Sequence, residues 1–370
     1  MNFEFSEDEL LIREQARSFL AEQSTSATVR TVLESDAPYH EALWRQICEL
    51  GWPATGIAER FGGLELGHLS QCVLAEELGR SLAPVPFSSS VYLVAEALTL
   101  AGNDAQQARW LPGLASGEVI GCLASVEGAS APLPRKLATR HAGGKLRGEK
   151  AAVVDVTAAS LAVVLAADAD AGDRPSLFLV ELNQAGVSRE AVNSLDASRP
   201  QGSLRLDAVA AERLGEAGEG EALLSRLLDR AAVLFAFEQV GGAEACLHMA
   251  LQYTKERYAF GRPVASFQAI KHKLADMFAK IELARGNAYY AAWALSTDAP
   301  ELPLAAATAR VSAIDAYYYA SKENIQAHGG MGFTWEFDCH LHYRRAQLLS
   351  LQLGGQPWWK ARLVQQLLAA

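Results

Sequence analysis

The stretch QAHGGMGFTWEFDCHLHYRRAQ, residues 326–347, holds three glycines, the spaced histidine pair His340 and His342, and an arginine pair inside a region otherwise patterned as helix. Glycine-rich backbone beside basic side chains suits an anion, spaced histidines suit a metal, and glycines also suit a change of direction. A second group, RYAFG, puts Arg257 at the end of a long helical pattern, with Phe260 in the turn and Gln268 beyond it. Taken alone, Arg257 also reads as a surface charge and Gly329-Gly330 as a helix cap. The metal reading is the weakest. His340 and His342 lack the i, i+4 spacing of a helical ligand pair and no cysteine or carboxylate pattern accompanies them, so no metal is expected.

The elements that must position these residues fall into three zones. Residues 1–117 read as helical. Ser6 before an acidic turn and LLIREQARSFL gives a cap and an amphipathic stripe, and YHEALWRQICELG repeats the pattern to Gly51. RFGGLELG and LAPVPFSSS mark loops, and no strand or G-x-G-x-x-G makes FGGLELG a dinucleotide fingerprint. Residues 118–214 change character. GEVIGCLASVEG, AAVVDV, LAVVLAA, SLFLVEL and GSLRLDAVA are short, apolar or alternating runs, read as a small antiparallel β-domain of five to seven strands. Residues 215–370 are helical again, with one run of about 35 residues ending near Arg257 and two more over about 267–295 and 302–328. The expectation is an α+β chain, mostly α, comprising an N-terminal helical domain, a middle β-domain and a C-terminal four-helix bundle.

Composition narrows the function classes. The formal net charge of -10 supplies no basic surplus for nucleic acid. Five scattered cysteines without a C-x-x-C pair suggest a reducing compartment. The polar, helical start shows no leader pattern, and no apolar run approaches the roughly 20 residues of a membrane span. A soluble cytoplasmic protein without nucleic-acid or membrane partners is expected.

The zone order, together with FGGLELG, AEELGRSLAP, LPGLASGE, GEKAAVV, ERYAFGRPVASFQAIKHKLADM and QAHGGMGFTWE, resembles the acyl-CoA dehydrogenase family over nearly the whole chain. The resemblance implies a flavoprotein tetramer that takes two hydrogens from the Cα–Cβ bond of an acyl-CoA thioester, with FAD as cofactor. It implies that Arg257, Phe260 and Gln268 reach across a subunit interface to a neighbour's FAD. The turn built from Gln326, Gly329, Gly330 and Gly332 does likewise for the adenosine end.

The groups serving the chain's own site depart from the family pattern. The flavin-side loop, usually close to T-E-P-G-x-G-S-D, is SVEGASAPL, which keeps Glu127 and loses the G-S-D end. Ala152 and Val154 stand where the family has the aromatic and hydroxyl residues of W-I-T. An ungapped count puts Leu353 at the family's usual base position and Ala231 at its alternative position. Neither takes a proton. Glu238, seven residues beyond Ala231, lies about 10 Å further along the helix, and Asp229 points about 200° away. These retentions and losses point to the FAD-sharing subunit of a heteromer, expected as a heterotetramer, whose homologous partner carries the catalytic glutamate. Two-gene assemblies in the family are associated with bulky acyl-CoAs, steroid side chains among them. A homomeric enzyme with a displaced base and a purely structural paralogue are the alternatives. Trp358 and Trp359 are read as core or interface packing, Arg344 and Arg345 as surface or interface charges, and Asp196 and Arg199 as a structural turn.

Overall fold

A computed structural model describes residues 5–128, 131–134 and 136–369. Helices α1 (Glu7–Gln23), α2 (Ser26–Leu33), α3 (Glu41–Glu49) and α4 (Gly67–Arg80) come first. A π-helical stretch, Ser88–Ala95, then leads into α5 (Glu96–Ala101) and α6 (Asp104–Ser116). Eight strands follow: β1 (Gly121–Ala124), β2 (Arg140–Ala142), β3 (Lys145–Val154), β4 (Leu161–Asp168), β5 (Arg174–Glu181), β6 (Val187–Val192), β7 (Gln201–Ala210) and β8 (Glu212–Leu214). The chain closes with α7 (Gly220–Glu256), α8 (Gln268–Ser296), α9 (Leu302–His328), α10 (Cys339–Leu351) and α11 (Gln356–Ala369). The helical, β and helical order expected from the sequence is therefore present.

By packing, the chain forms two compact units. One takes the chain up to Val29, then His68–Ala83 and everything from Ala232; the other takes Arg30–Gly67 and Pro84–Ala231. Local chemistry sets the helix ends. Ser6 and Glu9 form a reciprocal capping box on α1, and Asn103 with Gln106 does the same for α6. Gly51 leaves α3 in the left-handed region, at φ 73°. FGGLELG folds back over its own preceding turn, and a Cβ on Gly63 would sit 1.8 Å from the Ile57 carbonyl oxygen, so only glycine fits.

The sheet order is β6-β7-β3-β2-β4-β5-β8, with β1 also on β4. It is mixed, where the sequence suggested antiparallel pairing throughout. β1 and β2 share one edge of β4 in succession and both run parallel to it. Neither is joined to β4 by a hairpin, so nothing forces antiparallel pairing. β4 is buried along its whole length, matching its unbroken apolar run. β2, the first half of β3, β6 and β8 carry charged, outward residues and escape an apolar-run reading.

In the bundle unit, glycines fix how closely helices approach. A Cβ on Gly79 of α4 would lie 1.9 Å from the Glu238 carbonyl oxygen on α7, and one on Gly242 would lie 2.4 Å from the Tyr317 ring on α9. The Phe237 ring of α7 stacks on Tyr289 of α8, at 5.8 Å. Two buried carboxylates on α4, Glu76 and Glu77, are matched by Arg13, Arg17, Arg80 and Arg285, and Glu244 joins through Arg80 and Arg285. Burying acids at this density requires such pairing. That network is the structural content of AEELGR.

Candidate functional site

The two candidate binding groups lie at one end of the bundle. Tyr253, one turn before Arg257, stacks on His328 with ring centres 4.1 Å apart, and Phe337 meets both rings edge-on at 6.1 and 5.8 Å. His328 directly precedes Gly329. This aromatic cluster therefore ties the C-terminus of α7 to the C-terminus of α9. Burial holds the His328 imidazole below its ordinary pKa, and its Nδ1 lies 2.8 Å from the Asn324 carbonyl oxygen.

Beyond α7 the chain makes a small hairpin, Tyr258–Ala259 against Arg262–Pro263. Phe260 and Gly261 form its tip, both in the left-handed region at φ 53° and 78°. A non-glycine residue held there is strained, and the side chain it displays is 95 % exposed. Arg262 covers Phe267 at 4.0 Å, and Phe267 also meets Phe260 edge-on at 6.2 Å. Gln268 opens α8, whose first turn has no side-chain cap. Arg257 and Gln268 are exposed, and their side chains have no hydrogen-bond or ion-pair partner among the described residues.

The three glycines after α9 have different duties. Gly329 turns the chain at φ 60° and Gly330 follows it, with no atom within 4 Å of a Cβ placed on either. Their outer faces are open. Gly332 is instead enclosed, since a Cβ there would lie 2.5 Å from the Ile325 carbonyl oxygen. Gln326 is exposed on the last turn of α9.

The histidines of this stretch are used within the chain. His340 stacks on Trp335 at 4.7 Å and accepts from Arg344 Nε at 3.3 Å, while His342 meets the Tyr317 hydroxyl at 3.1 Å. Arg345 corrects the expectation of a surface or interface charge. It is buried, donates to the Leu82 carbonyl, and faces Glu238 at 3.8 Å. Trp359 is fully buried. Among the described residues the one group of metal-type ligands is His141, Asp168 and Asp170, and Arg213 pairs with both of its carboxylates. A cation already occupies that role.

On the other side, Glu127 is committed to structure. It accepts from Lys150 Nζ at 2.6 Å and from the backbone N–H groups of Ala138 and Thr139. Burial pushes its carboxyl up, but the Lys150 hydrogen bond and the backbone donors outweigh this and leave it below its ordinary value. Ala129 and Ser130, at the lost G-S-D end, lie outside the described residues. Ala152 is exposed at φ 51°, where the β3–β7 register shifts, and Val154 is half-buried. The next residue, Asp155, pairs with Arg199 at 2.8 Å and accepts from Ser89 at 2.5 Å, while Arg199 also donates to Ser88 at 2.8 Å. Asp196 caps its own turn through Ser198. The LDASRP turn is thus a buried structural lock.

Neither residue counted from the sequence to the family's base positions can take a proton. Leu353 sits in the turn after α10 at φ 60°, followed by Gly354 at φ 98°. Ala231 is fully buried in α7. The nearby acid Glu238 is buried opposite Arg345, and Asp229 is also buried. Sequence reasoning missed Tyr253 and Lys150. Tyr253 lay within the long helical run that ends near Arg257, but its contact with His328 spans the bundle and leaves no local spacing signal. Lys150 was visible as a lysine in a strand, where burial demands a counter-ion.

Comparison with known proteins agrees with this architecture. Residues 6–118 match the profile described as acyl-CoA dehydrogenase, N-terminal domain, and residues 218–356 the one for the C-terminal domain. Acyl-CoA dehydrogenase IpdE2 of Mycobacterium tuberculosis is 34% identical over 343 residues, covering 92% of this chain and 91% of the relative. Its namesake in Mycolicibacterium smegmatis is 29% identical over 353 residues, covering 95% and 96%. A solved structure described as a variant of the Tcur3481-Tcur3483 steroid ACAD superposes with TM-score 0.89 at 31% identity, covering 98% of this chain and 99% of that one. The chain belongs to the acyl-CoA dehydrogenase family. Its members are FAD-dependent flavoproteins and oxidoreductases acting on a CH–CH bond.

The residues present fit that cofactor on one side only. Arg257 and Gln268, exposed and without a side-chain partner among the described residues, an uncapped helix start and two open glycines form a donor set suited to a phosphorylated dinucleotide. Ala152 and Val154, expected from the sequence at the flavin-ring positions, offer only methyl groups, neither a flat wall nor a side-chain hydrogen bond.

Proposed function

We propose that this chain is the FAD-sharing, non-catalytic subunit of a heteromeric acyl-CoA dehydrogenase, expected as a heterotetramer with a homologous partner. Removing the α-proton of an acyl-CoA thioester requires a carboxylate held at a raised pKa in a dry pocket. FAD, when bound, accepts the hydride from the β-carbon. Leu353 and Ala231 have no acidic or basic group, so proton removal falls to the partner's glutamate. This chain contributes Arg257 to neutralise pyrophosphate, Gln268 and the first turn of α8 as donors, and Phe260 as an apolar contact. Gln326 with the open faces of Gly329 and Gly330 receives the adenosine end.

One observation carries the reading: Arg257 and Gln268 are exposed with no side-chain hydrogen-bond or ion-pair partner among the described residues, while Leu353 and Ala231 are apolar. The displaced-base alternative is weakened because Glu238 already faces Arg345. The purely structural alternative leaves the exposed Arg257 and Phe260 without a purpose. Likeness to a steroid acyl-CoA dehydrogenase with two named components supports a bulky, steroid-type acyl-CoA as substrate. Co-expression with a homologous, glutamate-bearing subunit tests the proposal: the purified complex should turn over acyl-CoA and hold fewer than one FAD per chain. A complex with one FAD on every chain contradicts it.

A further inference from the structure

Tyr253 stands between the two motifs assigned above to the shared cofactor. It lies one turn before Arg257 on α7, and residues four apart share a helix face. The Arg257 N–H donates to the Tyr253 carbonyl oxygen at 2.8 Å, and the Arg257 carbonyl accepts from the Val264 N–H at 2.8 Å, which closes the hairpin that displays Phe260. Where Tyr253 is held, Arg257 and its hairpin leave the helix.

On its other side the Tyr253 ring touches both flanks of the glycine turn. His328, immediately before Gly329, stacks on it at 4.1 Å, and Phe337, which follows the turn, meets it edge-on at 6.1 Å. A second rung lies one turn back along both helices, where the Asn324 amide donates to Met249 Sδ at 3.8 Å. The Asn324 carbonyl oxygen accepts the Nδ1 proton of His328 at 2.8 Å, which fixes the plane of the imidazole. The outer glycines add no restraint of their own, since a Cβ on Gly329 or Gly330 would meet nothing within 4 Å. An exposed arginine and an open turn keep a common geometry only through the side chains packed beneath them. The Tyr253 hydroxyl has no hydrogen-bond partner among the described residues, so its ring makes these contacts.

We propose, on the shared-FAD reading above, that Tyr253 and His328 are positioning residues of the half-site this chain lends. Their stack holds the Arg257 hairpin and the Gly329–Gly330 turn in register, so that both reach the same dinucleotide. The ring face carries this role. Phenylalanine can therefore replace Tyr253, and an aliphatic side chain cannot.

In the chain alone, amide exchange is followed at Arg257 and Gly329, whose N–H groups donate to the Tyr253 and Gln326 carbonyls. It should quicken about tenfold in Tyr253→Leu and keep its wild-type rate in Tyr253→Phe. In the complex with the glutamate-bearing partner, Tyr253→Leu should release flavin about tenfold faster, with Tyr253→Phe close to wild type. On an Arg257→Ala background, Tyr253→Leu should add less than about threefold, because part of its effect passes through that arginine. Tyr253→Gln serves where leucine disturbs folding, and His328→Leu should reproduce the loss from α9. A full tenfold effect on both backgrounds marks a merely structural role and overturns the proposal. Equal flavin loss in Tyr253→Phe and Tyr253→Leu gives the role to the hydroxyl and also overturns it. Wild-type retention in Tyr253→Leu beside loss in Arg257→Ala overturns it while leaving the shared-FAD reading intact. Wild-type retention in both removes that reading and the proposal together.

Discussion

Replacing Arg257 by alanine separates a lent binding group from an ordinary surface charge. The side chain is exposed and has no partner among the described residues, so its loss should alter the chain's own stability by no more than about 0.5 kcal/mol. In the complex, a charge-assisted contact to a pyrophosphate contributes about 1.5–3 kcal/mol. Its loss should weaken flavin retention by about 10- to 150-fold. The assay is co-expression of Arg257→Ala with the partner subunit, gel filtration, and flavin absorbance per protein. Arg257→Lys keeps the charge without the planar fork and should fall between wild type and alanine. Unchanged flavin content in a folded Arg257→Ala complex would refute the reasoning, because the retained motif would then have no part in binding FAD.

Other substitutions probe the scaffold. Glu238→Gln should destabilise the chain by about 3–5 kcal/mol in a thermal melt, since it leaves buried Arg345 without its facing carboxylate; turnover lost at unchanged stability would instead mark Glu238 as a base. Gly79→Ala should lower stability by about 3 kcal/mol in denaturant titration, because the new Cβ would meet the Glu238 carbonyl and force α4 from α7. Burial pushes the Glu244 carboxyl up, but Arg80 and Arg285 outweigh it and hold its pKa at about 2, below the ordinary 4.5. Its stabilisation is therefore present above pH 4.5 and lost as pH falls toward 2. After discounting for partial exposure this is about 1–2 kcal/mol, and melts at pH 5 and pH 3 should differ less in Glu244→Gln than in wild type.

Helices were the most legible part of the chain. α7 runs 37 residues and α9 spans Leu302–His328, close to their apolar patterns, because long periodic runs outweigh local ambiguity. The sheet was half legible. β4 and β5 show as apolar runs, whereas β2, β6 and β8 are short, charged and held by their neighbours. Arg257, Phe260 and the glycine turn stood out because each motif is contiguous in sequence. Their common placement did not, since it depends on Tyr253 meeting His328 across the bundle. Arg345 was hidden for a different reason. Arginine is usually exposed, and nothing in local spacing announces that partners on distant elements have enclosed it.

The central claim is that this chain lends half of a FAD site and lacks a proton-abstracting base. The most direct measurement is flavin content and acyl-CoA turnover of the chain purified alone after expression in flavin-replete cells. A subunit that only lends half of the site should carry far less than one FAD per chain and show no dehydrogenase activity. One tightly bound FAD per chain, with turnover by the single protein, would contradict it.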